Sequence, residues 1–233
     1  MSQPIYSPIV ELRMYTLHPG QRDELIWLFE REFIETQEAV GIQVIGQFYD
    51  LDDPNRFVWL RGFHDMPARA ESLAVFYDGP IWKAHRDAAN ATMIDSDNVL
   101  LLRLPHGTRG FSFDVAKRPA VGSRTRQDGF VAATVYYFDA PAGSNFIRYF
   151  EKMMKPALTE AGVSILPYFV TEDSPNTFPR LPVRKGENAF VWFAGFPNQD
   201  AYKNHLAKLR ESKLWKEEIE TFLKKTSRAS LKY

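Results

Sequence analysis

Hydrophobic positions along the first hundred residues change period in a fixed order. From Ile9 to Leu17 apolar and polar residues alternate among β-favouring types, and Pro19-Gly20 then turns the chain. Arg22 to Val40 carries Leu25, Leu28, Phe29, Phe33 and Gln37 at helical spacing, and Gly41 stands where a helix C-terminal cap is expected. Ile42 to Asp50 and Arg56 to Phe63 read as strands on either side of a polar turn, Leu51 to Asn55. A second helical region, broken by Gly79-Pro80, runs from Pro67 to about Met93, and Asn98 to Leu104 is a fourth strand. The predicted order is β-α-β-β-α-β, the ferredoxin-like arrangement with both helices on one sheet face.

The pattern occurs twice. Phe57-Val58-Trp59-Leu60-Arg61-Gly62-Phe63 returns as Phe190-Val191-Trp192-Phe193-Ala194-Gly195-Phe196, five of seven positions identical at an offset of 133, and Trp82-Lys83 returns as Trp215-Lys216. Leu28-Phe29-Glu30 matches Tyr149-Phe150-Glu151, and Ala39 to Ile42 resembles Glu160 to Val163, both at an offset of 121. The second copy therefore contains a twelve-residue insertion within Glu172 to Asn188, where Pro175, Pro179, Pro182 and Gly186 mark a loop.

A four-stranded sheet with helices on one face leaves the other face needing cover. A second copy supplies it. The expected fold class is α+β: two ferredoxin-like βαββαβ units whose antiparallel sheets form a dimeric-type α/β barrel. The first unit is expected over residues 1–105, a Gly- and Pro-rich linker over 106–129, and a diverged second unit over 130–233.

Composition narrows the function classes. An apolar fraction of 45% with 25% charged residues is that of an ordinary globular chain. The formal net charge is zero, which argues against a nucleic-acid partner. That zero is the sum of opposite halves: nine Lys and Arg against sixteen Asp and Glu in residues 1–105 give 9 − 16 = −7, and twenty against thirteen in 106–233 give 20 − 13 = +7. Opposite charges favour pairing of unlike halves. The absence of cysteine removes disulfides, thiolate metal sites and Cys nucleophiles. Met1 to Pro8 lacks the pattern of a secretory leader and no window holds eighteen uninterrupted apolar residues, so a cytoplasmic location without a membrane span is expected.

Glu11-Leu12-Arg13-Met14-Tyr15-Thr16-Leu17-His18-Pro19-Gly20, Phe57 to Phe63, and Trp82 through His85-Arg86 to Asp95-Ser96-Asp97-Asn98 together resemble the NIPSNAP family, within the dimeric α/β-barrel superfamily. The second copy keeps the tryptophan strand and Trp215 and loses the Glu-Leu-Arg and Asp-Ser-Asp-Asn stretches. The resemblance implies a small organic ligand held between sheet and helices or inside a barrel. The activities in that superfamily run from cofactor-independent monooxygenases to isomerases, cyclases and haem enzymes, and NIPSNAP proteins mostly have none assigned. Fold-level resemblance does not choose among them.

Strand alternation sorts the candidate site residues by face. Placing Leu12 and Met14 under the helices sends Glu11, Arg13 and Tyr15 to the other face, into the barrel, and the same rule sends Trp59 and Arg61 there. Gln47 joins them if Ile45 and Tyr49 point the same way. In the second copy Ala133, Val135, Tyr137, Tyr168, Trp192 and Ala194 correspond to Glu11, Arg13, Tyr15, Gln47, Trp59 and Arg61, so the aromatic frame is kept and the polar set is not. Two arginines and one glutamate in an apolar cavity would receive an anionic or carbonyl-bearing metabolite, with Arg61 and Arg13 orienting an oxyanion, Tyr15, Trp59 and Tyr137 forming the wall, and Glu11 or His85 moving a proton. The competing reading makes Glu11 with Arg13 or Arg61 a structural interior salt bridge and the protein a non-catalytic binder or scaffold with a filled barrel.

Among the five histidines, His18, His106 and His205 are expected in solvent, His64 at a strand-to-helix turn, and His85 as the group suited to acid-base work near neutral pH. No spaced ligand set suggests zinc, and no phosphate loop, Gly-x-Ser-x-Gly elbow or Rossmann fingerprint is present. No tightly bound cofactor is expected. Haem through His64, His85 or His205 stays open, because one axial ligand leaves almost no sequence signature. The expected partners are a small-molecule ligand and, as an open question, a second copy in a homodimer or larger homo-oligomer.

Overall fold

The structure, a computed structural model, describes residues 7–112, 120, 121 and 129–232. Residues 1–6 of the segment inspected for a leader, and residues 113–119 and 122–128 of the expected linker, lie outside the described residues. The chain divides into two compact units. One comprises Met1–Arg103, Arg109–Thr125 and Glu172–Lys185, the other Leu104–Thr108, Arg126–Thr171 and Gly186–Tyr233.

In the first unit, β1 (Ile9–Leu17) lies between β3 (Arg56–Phe63) and β5 (Val99–Arg103), and β2 (Gln43–Tyr49) flanks β3. The order is β2-β3-β1-β5 and these pairings are antiparallel, as a ferredoxin-like unit requires. A short strand absent from the sequence reading, β4 (Met93–Asp95), pairs with the end of β1 at Thr16 and Leu17.

Helix α1 runs from Arg22–Leu28 through a π-turn, Phe29–Phe33, into Ile34–Glu38. Gly41, at a left-handed φ of 90°, follows it into β2. Helix α2 (Met66–Asp78) starts at Asp65, whose side chain accepts from the Ala68 N–H, and has Pro67 in its first turn. Extended Gly79 breaks the helical region, and Pro80 begins α3 (Pro80–Ala91).

The second unit repeats the scheme. β6 (Phe130–Phe138), α4 (Ser144–Tyr149, the π-turn Phe150–Met154, Lys155–Glu160), β7 (Ser164–Thr171), β8 (Asn188–Phe196), α5 (Gln199–Glu211), α6 (the π-turn Trp215–Ile219 and Glu220–Thr226) and β9 (Ala229–Lys232) follow in order. Its strands are ordered β7-β8-β6-β9. The π-turns at Phe29 and Phe150 stand 121 residues apart, so this helix widening belongs to the repeat and not to one copy's chemistry.

Pairing registers fix the alignment of the copies. Glu11 faces Arg61 and Arg13 faces Trp59; Ala132 faces Ala194 and Thr134 faces Trp192. The offset of the first strands is thus 121, and Glu11, Arg13 and Tyr15 correspond to Ala132, Thr134 and Tyr136. The sequence alignment to Ala133, Val135 and Tyr137 was one residue out, which on a strand exchanges the faces.

Candidate functional site

Opposed residues of an antiparallel pair share a sheet face, so β1 and β3 present Ile9, Glu11, Arg13, Tyr15 and Leu17 together with Phe57, Trp59, Arg61 and Phe63. This face looks at the helices. Tyr15, Phe57 and Trp59 pack with Leu25, Phe29, Phe33 and Phe76 in one buried cluster. The expected parity is therefore reversed: Leu12 and Met14, placed under the helices by the sequence reading, lie on the opposite face, and the charged set lies beneath α1 and α2. Alternation failed because both sets are buried, Leu12 and Met14 at 1% exposure and Glu11 and Arg13 at 0 and 1%.

Glu11 is the hub of the site. Arg13 Nη1 donates to its Oε2 at 2.5 Å, Arg61 Nε donates to the same oxygen at 2.7 Å, and Arg69 Nε donates to Oε1 at 2.7 Å. Burial pushes the Glu11 carboxyl up, and the charges of Arg61, Arg13 and Arg69 together outweigh it and hold the group well below the usual carboxylate range. Three guanidinium groups on one carboxylate leave two positive charges in excess in the interior.

The arginines reach outward from this hub. Arg13 Nε donates to the Tyr15 hydroxyl at 2.7 Å. Arg61 Nη1 lies 3.4 Å from both Gln37 Oε1 and the Tyr77 hydroxyl. Arg69 Nη1 donates to Asn176 Oδ1 at 3.0 Å and to Thr177 Oγ1 at 3.1 Å. Arg61 Nη2 and Trp59 Nε1 are buried with no acceptor among the described residues, and a buried donor left unsatisfied costs about 1–3 kcal/mol, more when charged.

Beside the hub lies a cavity of about 30 Å³, walled by Tyr15, Gln37, Trp59, Tyr77, Trp82 and the phenylalanines of α1. It has room for about two water molecules. Of the lining residues, Tyr15, Gln37 and Tyr77 are hydrogen-bonded to the arginines, and Trp59 and Trp82 add indole N–H groups. Burial pushes the Tyr15 phenol up, so it stays protonated at neutral pH and keeps a proton to donate.

The other expected site residues fall elsewhere. Gln47 shares the Trp59 face, but a bulge between Val44 and Gly46 takes Ile45 out of that set. The Gln47 Oε1 is buried with no partner among the described residues, and the residue does not line the cavity. His85 packs its ring on Phe33 and sets Nε2 3.4 Å from Glu32 Oε2, partly exposed and outside the cavity wall. Tyr137 lies on β6 of the second unit. His205, expected in solvent, is 3% exposed, with Nδ1 3.2 Å from the Ala161 carbonyl.

Sequence reasoning missed Arg69, Tyr77, Asn176 and Thr177, and saw Gln37 only as part of a helical stripe. A signal existed for Arg69. It shares the i, i+3, i+4, i+7 face of α2 with Ser72, Leu73 and Phe76, all buried, so a cation stood in an apolar stripe.

The second unit is built without this chemistry. At its equivalent positions stand Ala132, Thr134, Leu158, Ala194 and Tyr202, the last placed by the matching helix caps Asp65 and Asn198. Among the described residues no group of three His, Cys, Asp or Glu side chains is arranged to hold a metal ion, and no helix is long and apolar enough to cross a membrane.

Residues 10–106 match the NIPSNAP family profile. Among solved structures, the chain is similar over 97% of its length to a "putative monooxygenase" of Fusobacterium nucleatum, at 15% identity and TM-score 0.57 over 90% of that chain. A second protein so named, from Lactobacillus acidophilus, matches at 15% identity and TM-score 0.54, covering 97% of this chain and 91% of that one. These likenesses establish the fold. A NIPSNAP-like domain protein of Burkholderia xenovorans is 29% identical over 47% of this chain and 97% of its own, at TM-score 0.40. No curated protein matches the sequence.

Proposed function

We propose that the first unit, whose residues 10–106 match the NIPSNAP family profile, binds a small anionic or carbonyl-bearing organic molecule between sheet and helices, without a tightly bound cofactor. One observation carries the reading. Three buried arginines converge on one glutamate, with Arg61 Nη2 left without an acceptor among the described residues, in a fold whose second copy has none of these four charged side chains. Burying charge in this way costs several kcal/mol per ion before pairing returns any of it, and Ala132 and Ala194 indicate that the architecture does not need it.

In this reading a carboxylate or carbonyl oxygen enters the cavity among Tyr15, Gln37, Trp59 and Tyr77, and the body of the ligand extends along the aromatic wall toward Trp82. Arg13 and Arg61 act through the phenols they touch: a guanidinium hydrogen-bonded to a tyrosine oxygen makes that hydroxyl a stronger donor to oxyanion charge. The monooxygenase, isomerase and cyclase reactions compatible with the fold all build negative charge on a substrate oxygen, and this cluster would stabilise it. Glu11, held as a carboxylate by three cations, is unsuited to take a proton near neutral pH and serves to fix the arginines.

The small cavity volume favours a second reading, a solvent-filled core in a non-catalytic binding protein. Titration separates the two. Acetate, benzoate and phenylacetate, with their amides as uncharged controls, are added while tryptophan fluorescence and calorimetry are followed. Carboxylates are expected to bind in preference to amides, and Tyr15→Phe to weaken them about tenfold, the worth of one good hydrogen bond. Failure of every carboxylate to bind would end the ligand reading.

A further inference from the structure

The residues that complete the Arg69 coordination come from the other repeat. Glu172–Lys185 lies in the insertion that only the second copy has, yet it is part of the first unit. Its two ends are tied by backbone hydrogen bonds to β5, Glu172 N to Leu101 O and Arg184 N to Val99 O. Between them the segment is fastened by side chains. Thr177 Oγ1 donates to the Met66 carbonyl at the start of α2 and Arg180 bonds Asp78 at its end, while Phe178 packs against the Tyr77 ring, 5.8 Å between centroids.

The interior of the segment is built to present acceptors. Asn176 donates Nδ2 to the Leu181 carbonyl and accepts the Phe178 N–H on Oδ1, which locks its amide with the oxygen toward Arg69. Both Asn176 Oδ1 and Thr177 Oγ1 then accept from Arg69 Nη1, while Arg69 Nε and Nη2 converge on Glu11 Oε1. An arginine held at both ends of its planar fork has one orientation available. Without the segment, Nη1 would be a buried donor lacking an acceptor, or the guanidinium would turn away from Glu11.

We infer that Asn176 and Thr177 are positioning residues for the first unit's binding site: they orient Arg69, and through it Glu11, Arg13 and Arg61, so that the site is complete only when the second repeat supplies its insertion. The inference rests on the ligand reading for its consequence and on Arg69 alone for its geometry.

The experiment uses the full chain and four variants, Asn176→Ala, Thr177→Val, the two combined, and Asn176→Asp, which retains the oxygen facing Arg69. Nitrogen-15 NMR of the arginine Nε–H groups reports their hydrogen exchange with no ligand present. The combined variant is expected to speed exchange at Arg69 at least tenfold, with a smaller rise at Arg13, which reaches the segment only through Glu11, and to weaken acetate binding about tenfold. Asn176→Asp is expected to restore slow exchange. If the segment only covers the core, the variants lower the melting temperature and leave Arg69 exchange as in the parent, which overturns the inference. Should acetate bind neither parent nor variant, the ligand reading fails while Arg69 exchange still decides the positioning role.

Discussion

Replacing Glu11 by Gln isolates what the buried charge cluster contributes, because the side chain keeps its shape and loses only its charge. The wild-type carboxylate accepts from Arg13, Arg61 and Arg69 at 2.5–2.7 Å, and all four residues are 0–1% exposed. Glutamine offers one oxygen and turns an NH2 toward at least one guanidinium, leaving three buried cations without a counter-charge. Removing one partner of a buried ion pair costs roughly 3–5 kcal/mol. Spread over a unit of about 130 residues, that is a fall in melting temperature of roughly 10–18 °C.

Urea unfolding followed by tryptophan fluorescence measures the loss, and amide exchange in β1 and β3 assigns it to the first unit. The pH dependence supplies a second reading. The folded-state value of Glu11 lies below its ordinary 4.5, so its stabilising contribution is complete above that pH and is lost as pH falls below it. The gap between wild type and Glu11→Gln should therefore narrow on acidification. A loss under about 1 kcal/mol at neutral pH, or a gap that does not narrow in acid, would refute the electrostatic account.

Gly62→Ala would bring a Cβ within 2.4 Å of Ser7 Cβ, whereas Gly195→Ala would approach Leu166 no closer than 3.7 Å; the first should cost about 1–3 kcal/mol in urea unfolding and the second a few tenths. Glu11→Gln combined with Arg61→Met removes a cation along with the anion and should recover part of the single variant's loss in the same assay. Phe178→Ala, 7% exposed in the first unit's core, should cost about 3 kcal/mol, with faster amide exchange in the first unit although the residue lies in the second repeat's sequence. His85→Ala removes a partly exposed contact with Glu32 and an edge contact with the Phe33 ring and should change stability by less than about 1 kcal/mol.

The order of elements was legible because each carries local punctuation: Gly41 and Gly162, 121 residues apart and both at positive φ, follow α1 and α4, and Asp65 and Asn198 cap α2 and α5. The family resemblance was legible over the first copy, where the profile matches residues 10–106. The face of β1 was not. Parity is readable only when one face is wet, and here Val10, Leu12 and Met14 are as buried as Ile9, Glu11 and Arg13. The helices cover the aromatic and charged residues of β1 and β3, and Val10, Leu12 and Met14 lie on the opposite face. The contact of Asn176 with Arg69 spans 107 residues and joins a loop to a helix, so no period or motif could announce it.

The insertion also ties the two repeats together. A cation inside the first unit takes its acceptors from a segment that stands in the second repeat's stretch of sequence. A first repeat made alone would therefore lack the acceptors that Asn176 and Thr177 give Arg69 Nη1, and two copies of the first repeat would have no such segment to exchange.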